Sequence, residues 1–174
     1  MNNLNFRLAQ FSDIPQLVDL INKSYREHQH RSWTTELEWV KGQRITKHQL
    51  EEQLQFENST LLVAQTNFSK IVACIGLTFE NKQIEIGTFC TDPQVQNMRV
   101  GRSVLEYAEQ YALKEDPHLT NAVMYVLDVR LELIAYYERR GYVKTGNEQP
   151  YPFEANVGVP IVPIKLVEMK KDLR

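Results

Sequence analysis

The chain has 174 residues, of which 43% are hydrophobic and 24% charged, and its net charge is -2. That balance suits one globular domain, and a chain of this size buries roughly 70% of its extended surface without needing a disulfide or a metal. Without a basic run it does not read as a nucleic-acid binder, and no apolar run is long enough to span a bilayer.

Residues 4–9 alternate in polarity and predict a short strand. Ser12 is placed to cap a helix that tolerates Pro15 in its first turn and repeats Ile14, Leu17, Val18, Ile21 and Tyr25 at helical spacing. The stretch EHQHRSWTTELEWVKGQR mixes polarity around both tryptophans and reads as loop and broken helix. Thr46 with Gln49 forms a capping-box start for a second helix carrying Leu50 and Leu54. TLLVAQ (60–65), KIVACIGLTF (70–79) and QIEIGTFCT (83–91) are separated by short polar connections and predict an antiparallel meander. A helix is expected over 96–114, with Val100, Val104, Leu105, Ala108, Tyr111 and Ala112 on one stripe. NAVMYVLDV (121–129) reads as a buried strand, RLELIAYYERR (130–140) as a helix and YVKTG as a strand. Pro150, Pro152 and Pro160 donate no ladder bond, so loop is expected as far as residue 160, before PIKLVEMK closes the chain as a strand.

This order holds one strand–helix–strand crossover, from 83 to 129, which requires a parallel pair in an otherwise antiparallel sheet. The expected fold class is α/β, a central mostly antiparallel mixed sheet flanked by helices, in a single domain over residues 1–174. Cys74 and Cys90 lie in apolar, strand-like runs and make neither a disulfide framework nor a zinc spacing. His28 and His30 have no third ligand near them in sequence, so no metal is expected. The polar N-terminus MNNLNFRLAQ lacks the apolar stretch of a secretory signal, and the expected location is the cytoplasm.

The stretch QNMRVGRSVLEYAEQYA (96–112) sets a glycine and two arginines at the first turn of a long helix. The first amides of a helix lack intrahelical partners and sit at the positive end of its dipole, so this turn is either a solvated helix start or a seat for phosphate. Here the sequence resembles the GCN5-related N-acetyltransferases (GNAT), whose signature is Gln or Arg, two residues, Gly, one residue, then Gly or Ala. Gln96 and Gly101 fill its ends, and Arg99 stands where the first glycine usually sits. A second motif is similar too: in AYYERRGYVKTG, Tyr137, Glu138, Gly141 and Tyr142 fill the family's aromatic, acidic, glycine and aromatic places. Arg130 replaces the asparagine often found near the start of that helix.

The resemblance implies a sheet splayed between its fourth and fifth strands, acetyl-CoA (coenzyme A) as acyl donor, and an N-acetyltransferase. Its contacts would come from Phe89, Cys90 and Thr91 along the pantetheine arm and from Gln96, Asn97, Met98, Arg99, Val100, Gly101, Arg102 and Ser103 around the diphosphate. Tyr137 would be the general acid facing the sulfur, with simple packing as its alternative. A phenol with a pKa near ~10 holds its proton at neutral pH. Glu85 would be the base, unless it is an outward-facing strand residue. Cys90 reads as a lining thiol rather than a nucleophile. By the same resemblance the irregular segments 28–39 and 148–160 lie over the acceptor end. They offer Trp33, Glu36, Tyr151, Phe153 and Glu154 to a small-molecule or peptide amine. A non-catalytic acyl-CoA-binding module is the competing reading, and the last strands leave room for a homodimer. A nucleotide P-loop is excluded, because no Gly-Lys-Ser/Thr follows the turn.

Overall fold

The computed structural model describes residues 4–27, 35–95 and 98–174. Strand β1 (Asn5–Leu8) leads through a 3-10 turn into helix α1 (Ile14–Arg26). Then come β2 (Val40–Lys41), α2 (Lys47–Gln55), β3 (Ser59–Gln65), β4 (Ile71–Glu80) and β5 (Gln83–Thr91). Helix α3 (Val100–Glu115), β6 (Asn121–Leu127), α4 (Leu131–Glu138), β7 (Val143–Pro150), β8 (Val159–Pro160) and β9 (Lys165–Asp172) complete the order.

The main sheet runs β1-β3-β4-β5-β6-β9-β7, and of its neighbouring pairs only β5 and β6 are parallel. This is the mixed α/β sheet with one parallel pair that the order of elements predicts. Alternation along the strands divides the core between the two faces. One face packs Leu62, Ile75, Leu77 and Ile86 against Val104, Leu105 and Ala108 of α3 and Ile134 of α4. The other packs Leu61, Val63 and Cys74 against Leu17, Leu20 and Ile21 of α1 and Leu50 of α2. Thr46 and Gln49 close the expected capping box, each side chain accepting from the other's backbone N–H. Among the described residues no helix is long and apolar enough to cross a membrane.

Three local expectations are corrected. Ser12 lies inside the 3-10 turn, and α1 starts at Ile14 after Asp13, whose carboxylate accepts from Arg7 at 2.6 Å and 2.9 Å and from the Gln10 N–H. Helix α3 starts at Val100 rather than 96, because Arg99 takes a left-handed conformation (φ 61°, ψ 11°) that a right-handed helix does not continue from. The stretch up to residue 160 is not all loop. Strand β7 extends to Pro150, which is tolerable because β7 is an edge strand with β9 as its sole neighbour in the sheet, and β8 carries Pro160 opposite Val40.

The β2–β8 ribbon ties the 150s loop to the body of the protein. Tyr151 donates from its hydroxyl to the Val157 and Gly158 carbonyls, both at 3.3 Å, and Arg26 donates to the Val157 carbonyl at 2.6 Å. Gly158 has φ 112°, and a Cβ there would sit 2.7 Å from Val40 and 2.8 Å from the Lys41 carbonyl oxygen. Gly158→Ala is therefore expected to destabilise the protein by more than about 1 kcal/mol in urea unfolding. An unchanged midpoint would mean that the ribbon is not held as described.

Candidate active site

The parallel ladder pairs Gln83–Ile86 with Asn121–Met124 and then stops, although both strands continue. A bulge in β5 accounts for the separation. The β4–β5 register steps from Cys74 opposite Cys90 to Gly76 opposite Gly87, so Ile75 faces both Thr88 and Phe89. Thr88 takes φ 46°. A bulge of this kind bends and twists its strand, here at the point where pairing with β6 is lost. The carbonyls of Phe89 and Thr91, without a strand on that side, accept from the hydroxyls of Tyr25 (2.9 Å) and Ser24 (3.1 Å) on α1. Between the parted strands lies a cleft of about 410 Å³.

Gly101, in the first turn of α3, lines this cleft. Arg99 at the N-cap makes no side-chain cap bond, so among the described residues no side chain takes up the leading amides of the helix. A Cβ at Gly101 would come 3.1 Å from the Tyr136 hydroxyl, tighter than an ordinary contact. Met98, Arg99, Arg102 and Ser103 are exposed around the turn, whereas the Val100 side chain is buried in the core. Arg102 is engaged by Glu106 at 2.7 Å. Gln96 and Asn97 lie outside the described residues.

Tyr137, 6% exposed, lines the cleft with its ring edge-on to Tyr136 and Tyr142 and 6.5 Å from that of Phe89. Burial pushes its phenol well above the ordinary value, with Arg130 and Arg140 opposing. Glu85 also lines the cleft and remains open to solvent, yet desolvation by the surrounding walls, helped by Glu80, raises its carboxyl above the usual range. Phe89, Cys90 and Thr91 line the cleft as well. Cys90 is buried with its sulfur 3.5 Å from that of Cys74, and both are free thiols.

The acceptor residues expected from sequence separate into three groups. Tyr151 and Glu36 line the cleft. Glu36 is not a free carboxylate, however: it accepts from Arg26 at 2.6 Å and lies 3.6 Å from buried Arg130. Phe153 and Glu154 sit in the 3-10 turn at Phe153–Ala155, exposed and next to the lining residues Tyr151 and Pro152 rather than on the lining itself. Trp33, His28 and His30 lie outside the described residues. Among those described, no group of three or more His, Cys, Asp or Glu is assembled for a metal.

An acetyltransferase (GNAT) family model matches residues 14–142, which includes the bulged strand, the α3 turn and Tyr137. The chain belongs to the GNAT acetyltransferase family. Solved structures of the same fold include the ribosomal-protein-S18-alanine N-acetyltransferase of Escherichia coli, at 14% identity and TM-score 0.72, covering 98% of this chain and 94% of that one. Spermidine N-acetyltransferase of Vibrio cholerae in complex with CoA and spermine aligns at 16% identity and TM-score 0.70, covering 98% and 95%. A GNAT acetyltransferase of Streptococcus pneumoniae aligns at 20% identity and TM-score 0.68, covering 98% and 99%. No curated protein sequence matches the chain.

Enzymes of the GNAT family use acetyl-CoA, and the residues present fit that donor. An uncapped helix start abuts the cleft, and a glycine there brings the backbone close to it. Among the lining residues of this acetyltransferase that the sequence did not single out are Tyr25, Arg44, Tyr125, Tyr136 and Gln149. Tyr25 is visible only as one more apolar-stripe position, and Arg44 carries no local signal at all. Arg130, noted only as a departure from the motif, is the buried partner of Glu36. Removing one member of a buried ion pair strands the other, so Glu36→Ala is expected to cost about 3 kcal/mol of stability by thermal or urea unfolding. A loss well under about 1 kcal/mol would show that the network is not structural.

Proposed function

We propose that this acetyltransferase transfers the acetyl group of acetyl-CoA to a primary amine of a small molecule or peptide, by direct attack while both substrates are bound. The observation that carries the reading is the parting of β5 from β6 after Ile86, with Gly101 and the uncapped α3 start, Tyr137 and Glu85 all on the lining of the one gap. From Glu85 to Thr91 the strand runs on the order of 20 Å, enough to separate a phosphate end from a reacting end. Acetyl-CoA supplies an activated thioester and a diphosphate handle.

The main-chain amides from Arg99 to Arg102 hold that diphosphate, those of Met98 and Ser103 being given to the Val95 and Arg99 carbonyls. The helix dipole favours it, as does Arg99, whose guanidinium has no ion-pair partner among the described residues. Phe89, Cys90 and Thr91 flank the arm that follows. Tyr137 keeps its proton on Oη across the neutral range because burial disfavours the phenolate, and gives it to the sulfur as the carbon–sulfur bond breaks. Glu85 takes the proton that the amine sheds as the nitrogen–carbon bond forms, directly or through water, and its raised pKa makes it a stronger base than an ordinary glutamate.

Thiol release from acetyl-CoA across a panel of amines tests the reading. Tyr137→Phe is expected to lower kcat at least about tenfold while coenzyme affinity stays within about twofold. An unaltered kcat would remove Tyr137 from the chemistry. Because Glu85 must be ionised to act and its pKa is raised, kcat should climb with pH along a limb lying above the usual glutamate range. Glu85→Gln should abolish that limb, and a superimposable pH profile would remove Glu85 as the base.

A further inference from the structure

Four charged side chains line the cleft: Glu36, Arg44, Glu85 and Arg130. Glu36 is shared by Arg26, at 2.6 Å, and Arg130, at 3.6 Å, so its carboxylate is fully taken up within the wall. The ion pairs among the described residues leave out Arg44 and Glu85. These two also occupy a special place. A second groove, running past α2 to β4 and β5, meets the cleft, and Arg44 and Glu85 are the charged residues that line both. They stand at the junction through which a ligand other than the coenzyme would reach the parted strands.

Arg44 is held firmly there. Its backbone N–H donates to Asn22 Oδ1 at 2.8 Å, and the Asn22 amide donates in turn to the Ile45 and Val18 carbonyls, both at 2.9 Å. Its guanidinium sits 5.2 Å from the centroid of the Tyr25 ring, and Tyr25 is itself tied to the Phe89 carbonyl. A cation over an aromatic face is stabilised without a counter-ion and keeps N–H groups to offer.

We infer that the acceptor is a small zwitterionic amino carboxylate, its carboxylate taken by Arg44 and its amine directed to Glu85. This rests on the acetyl-transfer reading above and names the substrate class of the same site. Guanidinium and carboxylate match in a two-bond fork, which fixes the carboxylate end and leaves the amine as the reacting group. A polyamine would bring several positive charges to a junction that Arg44 lines as well as Glu85. A carboxamide of the same amino acid keeps the amine and loses the charge that Arg44 recognises.

The test is thiol release from acetyl-CoA with the free amino acids, their carboxamides and spermidine as acceptors. The best amino acid should exceed both its carboxamide and spermidine in kcat/KM by at least about tenfold. Arg44→Gln should bring the acid-to-amide ratio close to one, with Arg44→Lys intermediate. A carboxamide or spermidine turned over as well as any amino acid overturns the inference, as does a ratio that survives Arg44→Gln. The wild-type ratio decides the matter by itself should a variant misfold. Titration calorimetry with coenzyme A separates the two levels. Absence of binding overturns the acetyl-transfer reading and this inference with it, whereas coenzyme binding without turnover of any amino acid overturns this inference alone.

Discussion

The parallel hydrogen-bond ladder between β5 and β6 ends at Ile86 and Met124, and the rest of the cleft depends on that ending. Parallel strands ordinarily satisfy each other's main-chain groups along their length, and a buried amide or carbonyl without a partner is costly. The extra residue in β5 at Thr88 turns the strand away from β6 while keeping it on β4. The carbonyls left over are met from α1 by Tyr25 and Ser24, so the gap is held open by bonds of its own. An extended, amide-bearing coenzyme arm is a natural occupant of a space between two strands that no longer pair. The same geometry sets Gly101 against Thr91 and Phe89, and so brings the start of α3 to the gap.

Burial does different work on each ionisable group around this space. It keeps Tyr137 protonated, and it makes Glu85 a stronger base while leaving it open to solvent. Behind Tyr137, the Tyr142 hydroxyl donates to Glu109 at 2.8 Å and Lys171 meets the other carboxylate oxygen at 2.6 Å, which joins α3 to β9 and steadies the ring that Tyr137 packs on. At the acceptor end, Arg26, Glu36 and Arg130 form a closed set that shapes the wall. Arg44 and Glu85 are the charged lining residues outside the ion pairs among the described residues, and selectivity is expected to reside there.

Much of the fold was legible because it rests on local regularities. Apolar runs between short polar connections marked β3, β4 and β5, helical spacing marked α1 and α3, and the single crossover implied the parallel pair. What was not legible depends on contacts between distant segments. Pro150 and Pro160 argued for loop by a rule that holds for interior strands, whereas β7 is an edge and β8 belongs to a two-residue ribbon. Nothing in a threonine announces a left-handed bulge, so the position of the splay came from family resemblance rather than from residues. Glu36 was recognisable as a carboxylate in an irregular segment, but its neutralisation by Arg130 is a tertiary fact. Phe153 and Glu154 had suitable chemistry, and a short 3-10 turn leaves them outside the cleft lining. Arg44, in the unremarkable stretch GQRIT, acquires its meaning only from the ring and the cleft it lies beside.

Hydrogen exchange with and without acetyl-CoA tests the central claim most directly, because it reads the backbone of the parted strands and of the α3 turn separately from the rest. The account predicts that the donor slows exchange in peptides covering 87–91 and 98–103 and leaves β3 and β7 unaffected. Exchange in those two segments that is the same with and without saturating acetyl-CoA would contradict it.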